Sequence, residues 1–483
     1  MSKLKFLLGF DVLELDLDHH PVLNPSTTVL NYLRHLNDHK GVKEGCAEGD
    51  CGACTVVVAF PDEDGQLRYM AVNSCLVFLP WLHGKQLITV EHLAEGNRLH
   101  PVQQWMVDLY GSQCGFCTPG IVMSLFALYK SNKEATRENA IQALSGNLCR
   151  CTGYQPILEA AMKALEADRD DSFTSSEKSV REQLLKIPFL SLQIDNGRQA
   201  YFRPSTWREA LELRRSHPDA LLTAGATDLA LRQSKKHEFL PKILDISGIN
   251  ELKSFHEHED RWIIGSGLSL EELWHLSGKK IPMFDEVLSV FASHQIRNMA
   301  TLGGNIGSAS PIGDTLPVLI ALEAALELEN ISATRSLPIE KFITGYRKTD
   351  LLPDEIIRSI SVPKTPQETL FRFYKVSKRI ELDISSVSMA AQLRLTTDNR
   401  VEKVILAFGG MSERPLRASR TETWLLGKPW QRITITEASE ILCHEFSPIS
   451  DARTGKEARR IMARNLLLKL YVETSENGGS DEE

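Results

Sequence analysis

The sequence predicts a multidomain α+β protein, and three observations carry that prediction. Eight of the nine cysteines fall within the first third of the 483 residues, in two groups of four. The first group lies among β-rich runs and the second among helix signals. Beyond a charged, Ser-rich stretch, DRDDSFTSSEKSVREQ at residues 168–183, strand-like and helix-like runs alternate around glycine-rich turns.

The first group reads C-x4-C-x2-C followed by a distant fourth cysteine: Cys46, Cys51, Cys54 and Cys75. This is the plant-type spacing for four thiolates around a 2Fe-2S cluster. Gly41, Gly45, Gly49 and Gly52 punctuate GVKEGCAEGDCGAC, so the backbone can curl tightly and aim amide N–H groups at sulfur. The β-rich run TVVVAF follows, and LRYMAVNSC brings Cys75 from a second strand-like segment, as expected for a ferredoxin-like fold. A structural zinc site and a pair of disulfides are the competing readings. A zinc ribbon usually has two C-x2-C knuckles and this segment has one. Disulfides need an oxidising compartment, whereas the apolar run in MSKLKFLLGFD is too short for a signal-peptide core.

The second group pairs C-x2-C at Cys114 and Cys117 with C-x-C at Cys149 and Cys151. Its context is helical. Thr118 and Pro119 read as cap and first turn of GIVMSLFALYK, TRENAIQALSG as a second helix, and GYQPILEAAMKALEA as a third. Unpaired N–H groups at helix starts would stabilise the negative charge of a reduced cluster. Iron and sulfur fit this group best, and zinc stays open on ligand type. Cys443, alone in ITEASEILCHEF, reads as a buried core thiol.

In the larger remainder, DALLTAGATDLALRQ reads as strand, glycine turn and helix, with Thr227 or Asp228 available as cap. Such a turn can cradle a phosphate or can be a mere connection. A second segment, TLGGNIGSASPIGD at residues 301–314, reads as a long loop before the helix TLPVLIALEAAL. Two such loops point to one extended ligand. No G-x-G-x-x-G opens a βαβ unit, and GSGLSL reads as a strand end before a helix capped by Ser269. Residues 168–183 read as an exposed linker and ETSENGGSDEE as a disordered tail. A net charge of −8 with both signs mixed leaves no basic footprint for nucleic acid, and no apolar run spans a bilayer. A cytoplasmic protein is the expectation.

With QCGFCTPG, GNLCRCTGY and the plant-type group in this order before a flavin-type region, the chain resembles the iron–sulfur and FAD-binding small subunits of the xanthine dehydrogenase family, within the molybdenum hydroxylase superfamily. The resemblance runs to about residue 475. It implies a β-grasp 2Fe-2S ferredoxin domain at 1–80, a helical-bundle 2Fe-2S domain at 81–167, a linker at 168–187, an FAD-binding PCMH-type α+β domain at 188–370, a C-terminal α+β CO-dehydrogenase-flavoprotein-like domain at 371–475 and a tail at 476–483.

It further implies that FAD is held by Leu221, Leu222, Thr223, Ala224, Gly225, Ala226, Thr227 and Asp228, by Thr301, Gly303, Gly304, Asn305 and Asp314, and by Phe291, Ile357 and Lys375. By the same resemblance Gln113 contacts a pterin in the partner. A molybdenum-cofactor-binding large subunit would hydroxylate a purine, in an assembly of two small and two large subunits. Electrons would pass through two 2Fe-2S clusters to FAD and on to NAD, the helical-domain cluster facing molybdenum and the plant-type cluster facing flavin. No catalytic residue for substrate oxidation is expected in this chain. The same module in an aldehyde- or N-heterocycle-oxidising enzyme is the alternative reading, and a zinc-stabilised interaction protein is the alternative from another class.

Overall fold

Lys3–Leu8 (β1) buries most of its apolar residues, reverses at Gly9 with φ 58°, and pairs antiparallel with Asp11–Asp16 (β2). Val29–His35 (α1), capped by Thr28, buries Val29, Leu30, Tyr32 and Leu33 in one core with Phe6, Val56 and Val58. Thr55–Pro61 (β3) and Leu67–Asn73 (β4) form the next hairpin. Gln86–Ile88 (β5), buried on both faces, completes a sheet of order β2-β1-β5-β3-β4, a β-grasp arrangement. The boundary expected between residues 80 and 81 therefore falls inside the sheet. A three-residue strand has no periodicity to announce it.

In the computed structural model the described residues are 3–475 apart from 63, 132, 133, 169, 189 and 381, and the expected tail at 476–483 lies outside them. The chain forms two units. The first runs to Ile249 and takes in Ser293–Ala300; the second comprises Asn250–Ala292 and the chain from Thr301 onward.

Within the first unit four helices follow the sheet: Pro101–Asp108 (α2), Thr118–Lys130 (α3), Arg137–Leu144 (α4) and Gln155–Glu166 (α5). Helix α3 is buried all round from Gly120 to Tyr129. Thr118 is its first residue and not its cap; Cys117 holds the cap position, and Thr118 Oγ1 bonds Ser112 Oγ at 2.6 Å.

The stretch expected as an exposed linker is mostly helix, Ser172–Leu185 (α6). Asp171 Oδ1 caps it, accepting from Thr174 N at 2.6 Å. Phe173, Val180 and Leu184 are buried along one face, Phe173 against Phe126 and the other two beside Leu7. Asp171 Oδ2 lies 3.3 Å from buried His100 Nε2, and Lys130 Nζ lies 3.0 Å from Glu177 Oε1. Three buried apolar residues in fourteen suffice because each meets a neighbour already in place, which composition does not register.

Leu192–Asp195 (β6), Ala200–Arg203 (β7), Trp207–Ser216 (α7), Leu221–Thr223 (β8), Leu229–Ser234 (α8) and Lys242–Asp245 (β9) complete the first unit, with sheet order β6-β7-β9-β8. Ser293–Ala300, helical over His294–Arg297, packs in this unit as well.

The second unit holds a five-stranded antiparallel sheet, Phe255–Glu257 (β10), Arg261–Gly265 (β11), Ala325–Glu329 (β12), Thr334–Pro338 (β13) and Ile356–Pro363 (β14), ordered β10-β11-β14-β12-β13. Leu270–Ser277 (α9) starts with a capping box between Ser269 and Glu272, as Ser269 predicts. Pro282–Ser289 (α10) follows. The glycine run expected as a loop is helical over Leu302–Gly307 (α11), because Thr301 Oγ1 caps it by accepting from Gly304 N at 3.0 Å. Thr315–Ala321 (α12) is shorter than its apolar run: Glu323 turns at φ 54° and the following residues enter β12.

A second antiparallel sheet, Leu370–Val376 (β15), Val387–Leu395 (β16), Val401–Gly409 (β17) and Leu416–Arg417 (β18), packs with Arg432–Cys443 (α13) and Lys456–Ser475 (α14). Cys443 is half-buried, not in the core. Among the described residues no helix is long and apolar enough to cross a membrane.

Candidate functional site

Loop geometry gathers the first cysteine group. Ala47, Gly49 and Gly52 adopt positive φ (54°, 78° and 69°), winding the chain so that Glu48 N and Asp50 N donate to Cys46 Sγ at 3.4 and 3.2 Å. A Cβ at Gly45 would lie 2.8 Å from Cys51 Sγ, so glycine there leaves the sulfur accessible. Cys75 follows β4 in a short turn, and its Sγ lies 3.4 Å from Cys54 Sγ.

The bond from Cys51, then the two N–H groups working against burial, hold the Cys46 thiol down to about 6. Its partner Cys51 is pushed up by the same bond and by burial. In the same way Cys75 holds Cys54 down while Cys54 pushes Cys75 up.

The second group forms where α3, the end of α4 and the start of α5 meet. Phe116 N–H and then Cys151 lower the exposed Cys114, and Cys151 is raised in return. Burial, then Cys149, pushes Cys117 up to about 12. Against burial, Cys149 is lowered by Thr152, whose Oγ1 lies 3.2 Å from its Sγ.

Both groups thus gather sulfurs two by two, Cys46 with Cys51, Cys54 with Cys75, Cys114 with Cys151 and Cys117 with Cys149. Among the described residues no three His, Cys, Asp or Glu side chains are grouped as ligands of a single metal ion. Two pairs of sulfur donors fit a diiron core, in which each iron takes two thiolates.

Sequence reasoning gave Tyr154 and Gln295 no role. Tyr154, at φ 70° after Gly153, accepts from Cys149 N at 2.9 Å through its hydroxyl. Gln295 is fully buried and bonds Ser124 and Asn147. No local pattern marks either. The exposed Gln113 lies beside Cys114 near exposed Tyr110 and Phe116.

The segment Leu221–Asp228 belongs to the first unit. A Cβ at Gly225 would lie 1.7 Å from Met299 O, so glycine is required by a backbone approach within the protein. Ala226 is held at φ 59°. Asp228 is exposed at the start of α8 and makes no cap hydrogen bond, contrary to the capping expectation. The far end of α8 reaches the first cysteine loop: Ser234 Oγ donates to Ala47 O at 2.8 Å and Lys235 Nζ to Cys46 O at 3.1 Å.

The remaining flavin-assigned residues lie in the second unit. Thr301 caps α11, Asn305 Oδ1 accepts from Thr315 Oγ1 at 2.6 Å, and a Cβ at Gly303 would meet Ser266 Cβ at 2.6 Å. Ser266 Oγ is buried without a hydrogen-bond partner, an acceptor and donor left for a bound group. Asp314 is buried with Lys375 Nζ at 3.1 Å and Ser385 Oγ at 2.6 Å. Phe291 is half-buried after α10, and Ile357 is buried on β14.

Four family models match the chain in order: a 2Fe-2S iron-sulfur cluster binding domain at 19–79, a 2Fe-2S binding domain at 89–162, an FAD binding domain in molybdopterin dehydrogenase at 193–365 and a CO dehydrogenase flavoprotein C-terminal domain at 372–474. The chain is similar to the xanthine dehydrogenase of Drosophila pseudoobscura pseudoobscura, 34% identical over 94% of this chain and 38% of that protein. It is similar also to the xanthine dehydrogenase/oxidase of Rattus norvegicus, 32% identical over 97% of this chain and 38% of that one. It therefore spans a little over a third of these relatives. Among solved structures, a carbon monoxide dehydrogenase from Hydrogenophaga pseudoflava superposes with a TM-score of 0.53 and 25% identity over 56% of this chain and 94% of that one. With all four domain types in a single order, the chain belongs to the molybdenum hydroxylase family and carries its iron–sulfur and FAD-binding region.

Proposed function

We propose that this chain is the electron-transfer subunit of a xanthine dehydrogenase, taking electrons from purine hydroxylation at a molybdenum cofactor on a partner subunit and delivering them through two 2Fe-2S clusters and FAD to NAD. The observation that carries the reading is the likeness to xanthine dehydrogenases over 94% or more of this chain, with eight cysteines gathered as two pairs of pairs. When bound, the clusters and FAD supply one-electron relay and its conversion to two-electron chemistry.

The chain's own residues divide that work. Cys46, Cys51, Cys54 and Cys75 hold one cluster, with Glu48 N–H and Asp50 N–H stabilising negative sulfur; Cys114, Cys117, Cys149 and Cys151 hold the other. Leu221–Asp228 and Thr301, Gly303, Gly304, Asn305 and Asp314, with Phe291, Ile357 and Lys375, serve FAD, joined by Ser266. Contacts from α8 to Cys46 and Ala47 support a flavin beside the plant-type group. Exposed Cys114 and Cys151, beside exposed Tyr110, Phe116 and Tyr154, support a partner at the other.

Anaerobically purified chain should contain about four irons and one flavin, with two distinct paramagnetic signals on reduction. Copurified with a molybdenum-bearing chain, it should support oxidation of hypoxanthine with NAD in preference to aldehydes. Loss of purine turnover with aldehyde turnover intact would sink the substrate assignment and leave the relay standing.

A further inference from the structure

One backbone hydrogen bond joins the two cysteine groups: Leu148 N donates to Cys51 O at 3.0 Å. Cys51 belongs to the first group, and Leu148 is covalently bonded to Cys149 of the second. Covalent bonds interrupted by this single contact thus connect the two sulfur sets. A hydrogen bond brings its heavy atoms closer than the roughly 3.5–4.0 Å of ordinary nonbonded contact, which improves electronic overlap.

Residues other than cysteine hold this contact closed. Asn147 Nδ2 donates to Gly52 O at 3.1 Å and Thr55 Oγ1 at 3.3 Å, fixing the strand that follows Cys51 against the residue before Leu148. Asn147 Oδ1 accepts from Ser124 Oγ at 2.6 Å and from Gln295 Nε2 at 2.9 Å, and Gln295 Nε2 also donates to Ser124 Oγ at 2.9 Å. All three side chains are buried. Glycines let the backbones close: a Cβ at Gly52 would lie 2.2 Å from Gly146 O, and one at Gly120 would lie 2.1 Å from Gly52 O.

We infer that the Cys51 O to Leu148 N contact is the electronic bridge between the two groups, and that Asn147 and Gln295 are its positioning residues. Gln295, on the Ser293–Ala300 segment, fixes the Asn147 amide; Asn147 in turn fixes Gly52 against Leu148. A single electron crosses, lost on one side and gained on the other, with no bond broken and no proton moved. The inference rests on the proposed reading that both groups hold clusters.

The test uses the full chain with both clusters loaded. Gln295→Leu keeps bulk and removes donation to Asn147. Exchange of the Leu148 amide hydrogen should become about tenfold faster, the equivalent of one lost hydrogen bond. After rapid injection of one electron, equilibration between the clusters should slow severalfold, with iron content and both paramagnetic signals unchanged. Asn298→Ala is the structural control. It removes the 2.9 Å bond from Asn298 Nδ2 to Ala71 O on the same segment without touching Asn147, and should leave both measurements unchanged. Should Gln295→Leu fail to fold, Ser124→Ala carries the same expectation at smaller size.

Unchanged exchange and equilibration in the folded Gln295 or Ser124 variant would overturn the inference, as would equal slowing in Asn298→Ala. Unaltered chain without iron would overturn the proposed function and this inference together, whereas clusters present with unchanged rates overturn this inference alone.

Discussion

Lys375 Nζ lies 3.1 Å from Asp314 Oδ2, with both side chains buried and Ser385 Oγ on the other carboxylate oxygen. Two positions assigned to FAD are thereby each other's partner. Asp314→Ala would strand a buried ammonium whose remaining contact is Val290 O. The expected cost is about 3–5 kcal/mol of stability in the second unit. Joint replacement, Asp314→Leu with Lys375→Met, should cost less than Asp314→Ala alone. Thermal denaturation of the three variants checks this, with flavin content measured beside it.

Cys149→Ser should remove about two of four irons, since one thiolate set is lost and the other is intact. Iron and sulfide analysis, with one paramagnetic signal retained and flavin still bound, is the expected result.

Gly225→Ala should destabilise the first unit whether or not flavin is added, because the new methyl meets Met299 O. Overpacking of this kind costs about 1–3 kcal/mol. A loss of stability confined to flavin-loaded protein would instead place the glycine at the ligand.

Asp171→Ala removes the α6 cap, worth about 1–2 kcal/mol, and takes the carboxylate from His100, while Lys130 keeps Glu177. Limited proteolysis should then cut within Ser172–Leu185 faster in the variant than in the unaltered protein.

Burial lowers His83 to about 4 from 6.5, and its Nδ1 accepts from Lys5 N at 3.2 Å, so the folded imidazole is neutral. His92 is likewise lowered to about 4 by burial and by His39. The unfolded chain takes up these protons first. Stability contributed by each is complete above about 6.5 and is lost as pH falls toward 4, on the order of 3 kcal/mol per residue. Melting temperature of wild type against His83→Gln across this window should show a shallower slope in the variant.

The cysteine groups were legible because ligand spacing is a local property, and so were strands β3 and β4, the helix over TRENAIQALSG, the capped helix at Ser269, and the strand-turn-helix at residues 221–234. What stayed hidden depends on distant partners. Helix α6 needed Phe126 and His100 to make sense of Phe173 and Asp171. A glycine run became helix through Thr301, and Gly225 answers to Met299. Gln295 carried no local signal, and its role shows only with Asn147 beside it.

The bond between Gln295 and Asn147 spans 148 positions in sequence. A nascent chain that has released all eight clustered cysteines from the ribosome still lacks the piece that locks Asn147. Long-separation contacts of this kind form late. Asn147 therefore gains its Gln295 partner only after residue 295 has emerged, and metal delivery before that moment would meet a junction between the cysteine groups that is not yet locked.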